Sequence, residues 1–259
     1  MALGHGEVTG FALITDPVFY AVAIPAVLLT GLAKSGFLSG FGALAVPLMA
    51  LAVPVPQAAA IMLPLLLVMD AVGLQQLWRQ RDNALLRLLL PAGLIGVGVG
   101  TLLFGVLSSK TVSAVVGALT LLFLAQRLFF PPRREGVAPS RPLGFALGIA
   151  SGFTSFVSHA GGPPISAYVL PLRMPPLTMT ATTAVFFAVV NSSKCIPYAW
   201  LGLIDARNLA TSLVLIPLAP VGVWLGVRLT RRIDPTWFYR LAYTGMFLAG
   251  VKLLYDGLS

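Results

Sequence analysis

Long apolar segments recur from one end of the chain to the other, and this feature restricts the possible folds most strongly. A helix needs about 20 residues to cross the hydrocarbon core of a bilayer, and runs near that length are separated here only by short polar connections. The residues are 58% hydrophobic and 10% charged, with a mean hydropathy of +0.92. A soluble domain uses much less apolar surface. The sequence therefore predicts an all-α, multi-pass integral membrane protein.

The apolar runs form five segments, a polar linker and five more segments. The segments cover residues 17–38, 39–53, 57–78, 84–107, 111–130, 142–160, 161–172, 177–200, 208–230 and 236–257. We assign 1–16 to an extracytoplasmic N-terminal segment, 17–130 to membrane repeat 1, 131–141 to a cytoplasmic linker and 142–259 to membrane repeat 2. The short runs 39–53 and 161–172 are interpreted either as full crossings or as re-entrant segments.

Two ungapped blocks of the first half recur in the second half, in the same order. The first block recurs 116 residues later, and its matching positions are Ser35, Gly36, Phe37, Ser39 and Pro47 with Ser151, Gly152, Phe153, Ser155 and Pro163. The second recurs 126 residues later, and it pairs Pro91, Gly96 and Gly100 with Pro217, Gly222 and Gly226. Internal repeats of this kind are typical of transporters.

Arginine clusters indicate the orientation of these repeats. If every segment crosses, three clusters fall on one side, namely Arg79, Arg81 and Arg87, then Arg127, Arg133, Arg134 and Arg141, then Arg228, Arg231, Arg232 and Arg240. The other side keeps little beyond Lys110 and Arg207. Basic residues favour the cytoplasmic side, so the sequence predicts about ten transmembrane segments in two inverted five-segment repeats, with both termini outside the cytoplasm.

Composition and missing motifs exclude several classes of function. The net charge of +9 comes from Lys and Arg in the connections, where they set topology, so we predict no nucleic-acid partner. A single cysteine, Cys195, excludes an internal disulfide and a CxxC motif. No GxxxxGK[ST], HExxH or GxSxG motif is present, so we expect no enzymatic activity, no cofactor and no metal.

Each half contains one break rich in Gly and Ser, KSGFLSGFGALAVP at 34–47 and SGFTSFVSHAGGPP at 151–164. Such breaks expose backbone groups that line a wet cavity in transporters, and helix N-termini there bind anions. Close packing of small residues is the alternative. We predict a substrate-binding site formed by Lys34, Ser35, Gly36, Ser39, Gly40, Ser151, Gly152, Thr154, Ser155, Ser158, His159, Gly161, Gly162, Asn191 and Lys194.

Ionisable residues within apolar segments are costly and therefore indicate function. Lys34 either offers a fixed positive charge to an anion or extends to the interface. His159 either titrates during transport or is a neutral side chain bonded to a carbonyl. Asp70 and Lys194 occupy nearly equivalent repeat positions, so they could form an ion pair, either proton-sensitive or purely structural. Our candidates for proton coupling are His159 and Asp70.

The duplicated SG-x-x-S break, the GFTSFVSHAGGPP form at 152–164 and the five-plus-five layout resemble the TauE/SafE sulfite exporter family, also called the toluene sulfonate uptake permease (TSUP) family. The resemblance covers nearly the whole chain. It implies transport of small sulfur-containing anions, such as sulfite, sulfoacetate or isethionate, across the bacterial inner membrane. We therefore expect a secondary transporter that works by alternating access, an exporter coupled to protons. The alternatives are an anion channel and, from another class, an intramembrane enzyme.

Overall fold

The computed structural model describes residues 13–34, 41–129, 140–229 and 235–259, and all regular structure in these ranges is helical. Its α-helices are α1 (Pro17–Lys34), α2 (Ala45–Met49), α3 (Val55–Leu77), α4 (Asn83–Phe104), α5 (Ser109–Phe129), α6 (Arg141–Ser158), α7 (Gly162–Val169), α8 (Pro176–Ser193), α9 (Cys195–Trp200), α10 (Ala206–Leu215), α11 (Leu218–Leu229) and α12 (Pro235–Leu258). Short 3₁₀ turns cover Phe41–Leu44, Trp78–Gln80 and Leu170–Leu172. The prediction of an all-helical chain is confirmed for the described residues.

Aspartate and proline residues set where many of these helices begin. The Asp82 carboxylate accepts hydrogen bonds from the backbone N–H groups of Ala84 and Leu85, at 2.8 and 3.0 Å, and so caps α4. Asp205 caps α10 in the same way, accepting from Asn208 N–H at 2.6 Å. Helices α3, α6, α7 and α8 have proline in their first turn, where the missing N–H costs nothing.

Four helices of the described chain are long and apolar enough to cross a membrane, namely α1, α3, α4 and α5. The pair α10 and α11, bent by 41°, can count as a fifth crossing. Helices α6 and α8 are also 18 residues long but contain more polar residues. Helix α7 has 8 residues, about 12 Å at helical rise, which is shorter than the hydrocarbon core. The number of ten crossings stays a prediction.

Helices of the first half pack mainly on helices of the second half. The main contacts join α4 to α6, α5 to α12, α1 to α11 and α3 to α8. Glycine permits two of these crossings: a Cβ atom on Gly152 would lie 2.0 Å from the carbonyl oxygen of Gly93, and one on Gly31 would lie 2.7 Å from the backbone of Gly222. Close backbone approach between small residues is the usual way membrane helices pack.

Candidate functional site

Polar side chains meet in the core where α3, α6 and the end of α8 lie together. Helix α6 ends inside the protein, because His159 adopts a left-handed backbone conformation with φ of 54°. Helix α8 is also interrupted, with Lys194 between α8 and α9. Both interruptions lie in polar stretches that the sequence singled out, and α3 passes beside them as a continuous helix.

Lys194 is the most deeply buried cationic side chain among the described residues, with 0% exposure. Its Nζ donates to the Ser155 carbonyl oxygen at 2.8 Å, to the Ser155 Oγ at 2.9 Å and to the His159 Nδ1 at 2.9 Å. These three neutral acceptors match the three N–H donors of an ammonium group. In the described chain no carboxylate contacts Lys194. We call Lys194, Ser155 and His159 the Lys194 cluster.

His159 joins this cluster to α3. Its Nε2 lies 2.9 Å from the carbonyl oxygen of Ala59, which can only accept a hydrogen bond. Because Nδ1 accepts from Lys194, the contacts assign the single ring proton to Nε2 and make the imidazole neutral. The interpretation of His159 as a neutral histidine bonded to a carbonyl therefore agrees with the observed contacts.

A carboxylate group lies farther along α3, and it has two partners. Asp70, which is 4% exposed, forms an ion pair with Lys34 at the end of α1. Its second oxygen accepts from the Asn191 Nδ2 at 2.6 Å. The Lys34 Nζ also lies 5.6 Å from the centre of the Phe187 ring, in reach of a cation–π interaction. We call Lys34 and Asp70 the Lys34–Asp70 pair.

Helix α8 connects the pair to the cluster, because Asn191 and Lys194 are one turn apart on it. The two ends of the network contact α3 at Asp70 and at Ala59, which are separated by about 16 Å along that helix. The network thus extends along about half the thickness of a hydrocarbon core. Asp70 and Lys34 act on Lys194 electrostatically without contacting it. With a neutral His159, these groups carry one net positive charge.

The predicted pairing of Asp70 with Lys194 differs from the observed one. Asp70 pairs with Lys34 instead, and Lys194 is held by neutral acceptors of α6. The interpretation of Lys34 as a residue that extends to the interface also does not fit, since its Nζ points to Asp70 and only 23% of its side chain is exposed. The reason is that Lys34, the last described residue of α1, lies beside α3 in the protein interior.

The hydroxyl groups of the second break stabilise the break itself. Ser151 donates to the Gly161 carbonyl at 2.7 Å, and Ser158 donates to the Thr154 carbonyl at 3.3 Å. Thr154 is within reach of the carbonyls of Ala150 and Ala160, at 2.9 and 3.1 Å. We predicted these residues as part of the substrate-binding site. In the observed conformation their hydrogens are already used, because Thr154 and Ser158 bond back to the carbonyl four residues earlier in α6 and Ser151 bonds to the turn that follows α6.

Three glycines of the break have structural rather than binding positions. Gly152 lies in the crossing of α6 with α4, as the packing alternative predicts. Gly161 lies against Ser151 and Ser155, and Gly162 begins α7. The next two residues of α7, Pro163 and Pro164, have no N–H group, so this N-terminus has fewer donors for an anion than a helix start normally offers. The expected contribution of the α7 N-terminus to binding is accordingly small.

The predicted site residues of the first break lie largely outside the described residues. This applies to Ser35, Gly36, Ser39 and Gly40, whereas Lys34 is described. Their role stays a prediction.

Tyr198 belongs to the site region and was not singled out from the sequence. Its side chain is 0% exposed, and its hydroxyl donates to the Phe156 carbonyl at 2.7 Å, which α6 leaves without a helical partner. The ring lies edge-on to Phe156, with centroids 5.1 Å apart. The sequence feature that could have identified Tyr198 is its position four residues after Lys194, because residues four apart share one helix face.

The arrangement as a whole is a closed, positively charged site. Every buried side-chain N or O atom of the described residues has a hydrogen-bond partner, so an entering anion must replace an internal partner. The described residues contain no group of three His, Cys, Asp or Glu side chains placed to hold a metal ion. A buried ammonium without a carboxylate in contact is costly, and an anion would compensate it.

Comparisons with known proteins identify the family of the chain. No curated protein and no solved structure matches the chain. The family model described as "Sulfite exporter TauE/SafE" matches residues 23–253 of 259, a range that includes both the Lys34–Asp70 pair and the Lys194 cluster. That family consists of membrane transporters rather than enzymes, and its name indicates export of sulfite or related sulfur anions. The chain therefore belongs to the TauE/SafE sulfite exporter family.

Proposed function

We propose that the protein is a proton-coupled secondary transporter that exports small sulfur-containing anions, such as sulfite, sulfoacetate or isethionate, across the bacterial inner membrane. The observation that carries this proposal is Lys194, a fully buried cation held only by neutral groups. Ionisable groups inside membrane proteins typically mark a transport path. The substrate anion binds next to Lys194, near the middle of the bilayer.

The two halves form inverted repeats that alternate access to this site. Two corresponding contacts support this: Gln57 donates to Asn208 at 3.1 Å, and the Asp82 N–H donates to the Thr182 hydroxyl at 2.9 Å. The first contact joins the start of α3 to α10, and the second joins the start of α8 to α4. Inverted repeats would place these contacts on opposite faces of the membrane, where each closes one side of the site.

The Arg-rich linker at 131–141 then lies in the cytoplasm and both termini lie outside it, as the positive-inside bias predicts. The five segments of each half cross the membrane in this arrangement, and α7 is part of a broken crossing.

Protons act through His159. A proton on its Nδ1 would remove the acceptor of one Lys194 hydrogen bond and place two cations in contact, so protonation of His159 changes how Lys194 binds an anion. The charged groups that act on His159 from other elements are Lys194, which contacts it and follows α8, and Lys34 from α1. Asp70 is the second candidate, since its protonation would release Lys34.

The test is tracer flux into proteoliposomes that contain the purified protein. We expect sulfite, sulfoacetate or isethionate to accumulate against its concentration gradient when a proton gradient is applied, and Lys194→Met to abolish this flux. His159→Asn, which tolerates the left-handed backbone, should retain flux down a gradient and lose proton-driven accumulation. Passive chloride flux without accumulation of any sulfur anion would instead indicate an anion channel.

A further inference from the structure

Asp70 is a negatively charged group that a simple anion-binding site does not require. The other described carboxylates lie before a helix, cap one or lie near the end of α12, whereas Asp70 lies within α3 and is 4% exposed. A carboxylate next to an anion site weakens anion binding by repulsion. Its presence therefore needs an explanation beyond anion attraction.

The effect of Asp70 is to cancel one of two cations. Lys34 and Asp70 are paired, and among the described residues the pair is linked to the stretch that carries Lys194 through Asn191, whose Nδ2 donates to Asp70 at 2.6 Å. An anion beside Lys194 favours the charged form of that side chain. With Lys194 charged and His159 neutral, as the His159 contacts assign, the two cations and the one carboxylate among the described residues of the network leave a single positive charge for a ligand.

We propose that the site selects anions that carry one negative charge, and that Asp70 is the residue that sets this selectivity. This inference rests on the proposed function and narrows its substrate class to monovalent sulfonates and the singly protonated form of sulfite. A dianion would bring one unbalanced negative charge into a water-poor site, where charge is costly. A ligand without net charge would leave the positive charge of Lys194 uncompensated.

Three compounds with the same two-carbon sulfonate frame test the inference on the unmodified protein. At neutral pH taurine has no net charge, isethionate carries one negative charge and sulfoacetate carries two. We expect the dissociation constant, measured by calorimetry in lipid nanodiscs at fixed ionic strength, to be lowest for isethionate by at least about tenfold. Equal affinity for isethionate and sulfoacetate, or tighter binding of sulfoacetate, would overturn the inference.

Variants then test whether Asp70 is responsible. Asp70→Asn leaves two uncancelled cations and should lower the isethionate-to-sulfoacetate affinity ratio at least about tenfold. The double change Lys34→Gln with Asp70→Asn restores one net positive charge, so it should restore the preference for isethionate. Asp256→Asn removes the same charge from an exposed pair with Lys252 and should leave the ratio unchanged.

The outcomes separate this inference from the proposed function. If sulfur anions bind but the ratio is the same in the unmodified protein, in Asp70→Asn and in the double variant, only the charge selection is wrong. If the unmodified protein binds none of the sulfur anions, the proposed function fails together with the inference. The double variant leaves no uncompensated charge at the positions of the Lys34–Asp70 pair, and it remains informative if Asp70→Asn does not fold.

Discussion

The Lys34–Asp70 pair and the Lys194 cluster contain the same kind of cation in opposite electrostatic situations. Lys34 has a carboxylate partner and a partly exposed side chain, whereas Lys194 has only neutral acceptors and no exposed surface. The two sites occupy nearly equivalent places in the proposed repeats, because Ser155 follows Lys34 by 121 residues and Lys194 follows Asp70 by 124 residues. One half cancels its charge internally, and the other leaves its charge for a ligand.

The largest expected effect is the loss of function in Lys194→Met. Methionine keeps the length of the side chain and removes the charge, so we expect anion affinity to fall at least about 100-fold. The melting temperature in detergent should change little, because the lost hydrogen bonds are offset by the removed cost of burying a cation. Lys252→Met, at an exposed position, is the matched control. If Lys194→Met still binds the anion, Lys194 is not the anion-binding cation, and the proposed difference between Lys194 and Lys34 is wrong.

The next largest effect is a difference in stability between Lys34→Met and Asp70→Asn, the two variants of the Lys34–Asp70 pair. Lys34→Met leaves the buried Asp70 with Asn191 alone and should lower the free energy of unfolding by about 3–5 kcal/mol. Asp70→Asn leaves Lys34, whose side chain is 23% exposed, able to reach water, and should cost about 1–2 kcal/mol. Chemical denaturation of both variants in the same detergent measures the difference. Equal losses would mean that the two partners are buried to the same degree.

Glycine-to-alanine changes at the two helix crossings are expected to have a smaller effect. Gly152→Ala places a methyl group 2.0 Å from the Gly93 carbonyl oxygen, and Gly31→Ala places one 2.7 Å from Gly222. We expect losses of stability of about 1–3 kcal/mol for each, with the larger loss for Gly152→Ala. Gly152→Ala should also weaken anion binding more, because α6 carries Ser155 and His159. Gly98→Ala, where a methyl group meets nothing within 4 Å, should be neutral in both measurements.

The smallest effect is expected for Tyr198→Phe. The change removes the hydrogen bond to the Phe156 carbonyl and leaves the ring packing in place, so stability should fall by about 1–2 kcal/mol. Anion affinity should stay within about twofold, since the Lys194 contacts are intact. A large loss of anion affinity without a loss of stability would assign Tyr198 to the binding site instead of the support of α6.

The sequence predicted the membrane class, the helical segments, the family and most members of the polar network. It also predicted that the two breaks matter, because Gly, Ser and Pro favour interruptions of helices and membrane-buried Lys, Asp and His are rare. It placed the repeats 116 residues apart in the first segments, which sets Lys34 against Ala150. If the crossings of Gly31 with Gly222 and of Gly152 with Gly93 are equivalent in the proposed repeats, Gly31 corresponds to Gly152, 121 residues later, and Lys34 corresponds to Ser155.

Local rules could not give the roles of the individual polar groups. Ser151, Thr154 and Ser158 have the right chemistry for an anion site, yet they bond to carbonyls of α6 and of the turn that follows it. The Ser151 bond depends on the chain turning back after α6, which brings the Gly161 carbonyl beside Ser151. His159 reaches Ala59, which is 100 residues away in the chain, and no pattern near His159 indicates that contact.

The sequence by itself determined that this chain forms apolar helices with a few ionisable groups inside them, since segment length and hydropathy decide which segments are stable in lipid. The tertiary structure alone decided that Asp70 pairs with Lys34 and that Lys194 binds Ser155 and His159. The physical reason is helix rotation and crossing depth: one residue of displacement turns a side chain by about 100° around its helix. Packing at positions such as Gly31 and Gly152 sets that displacement, and with it which charges are cancelled.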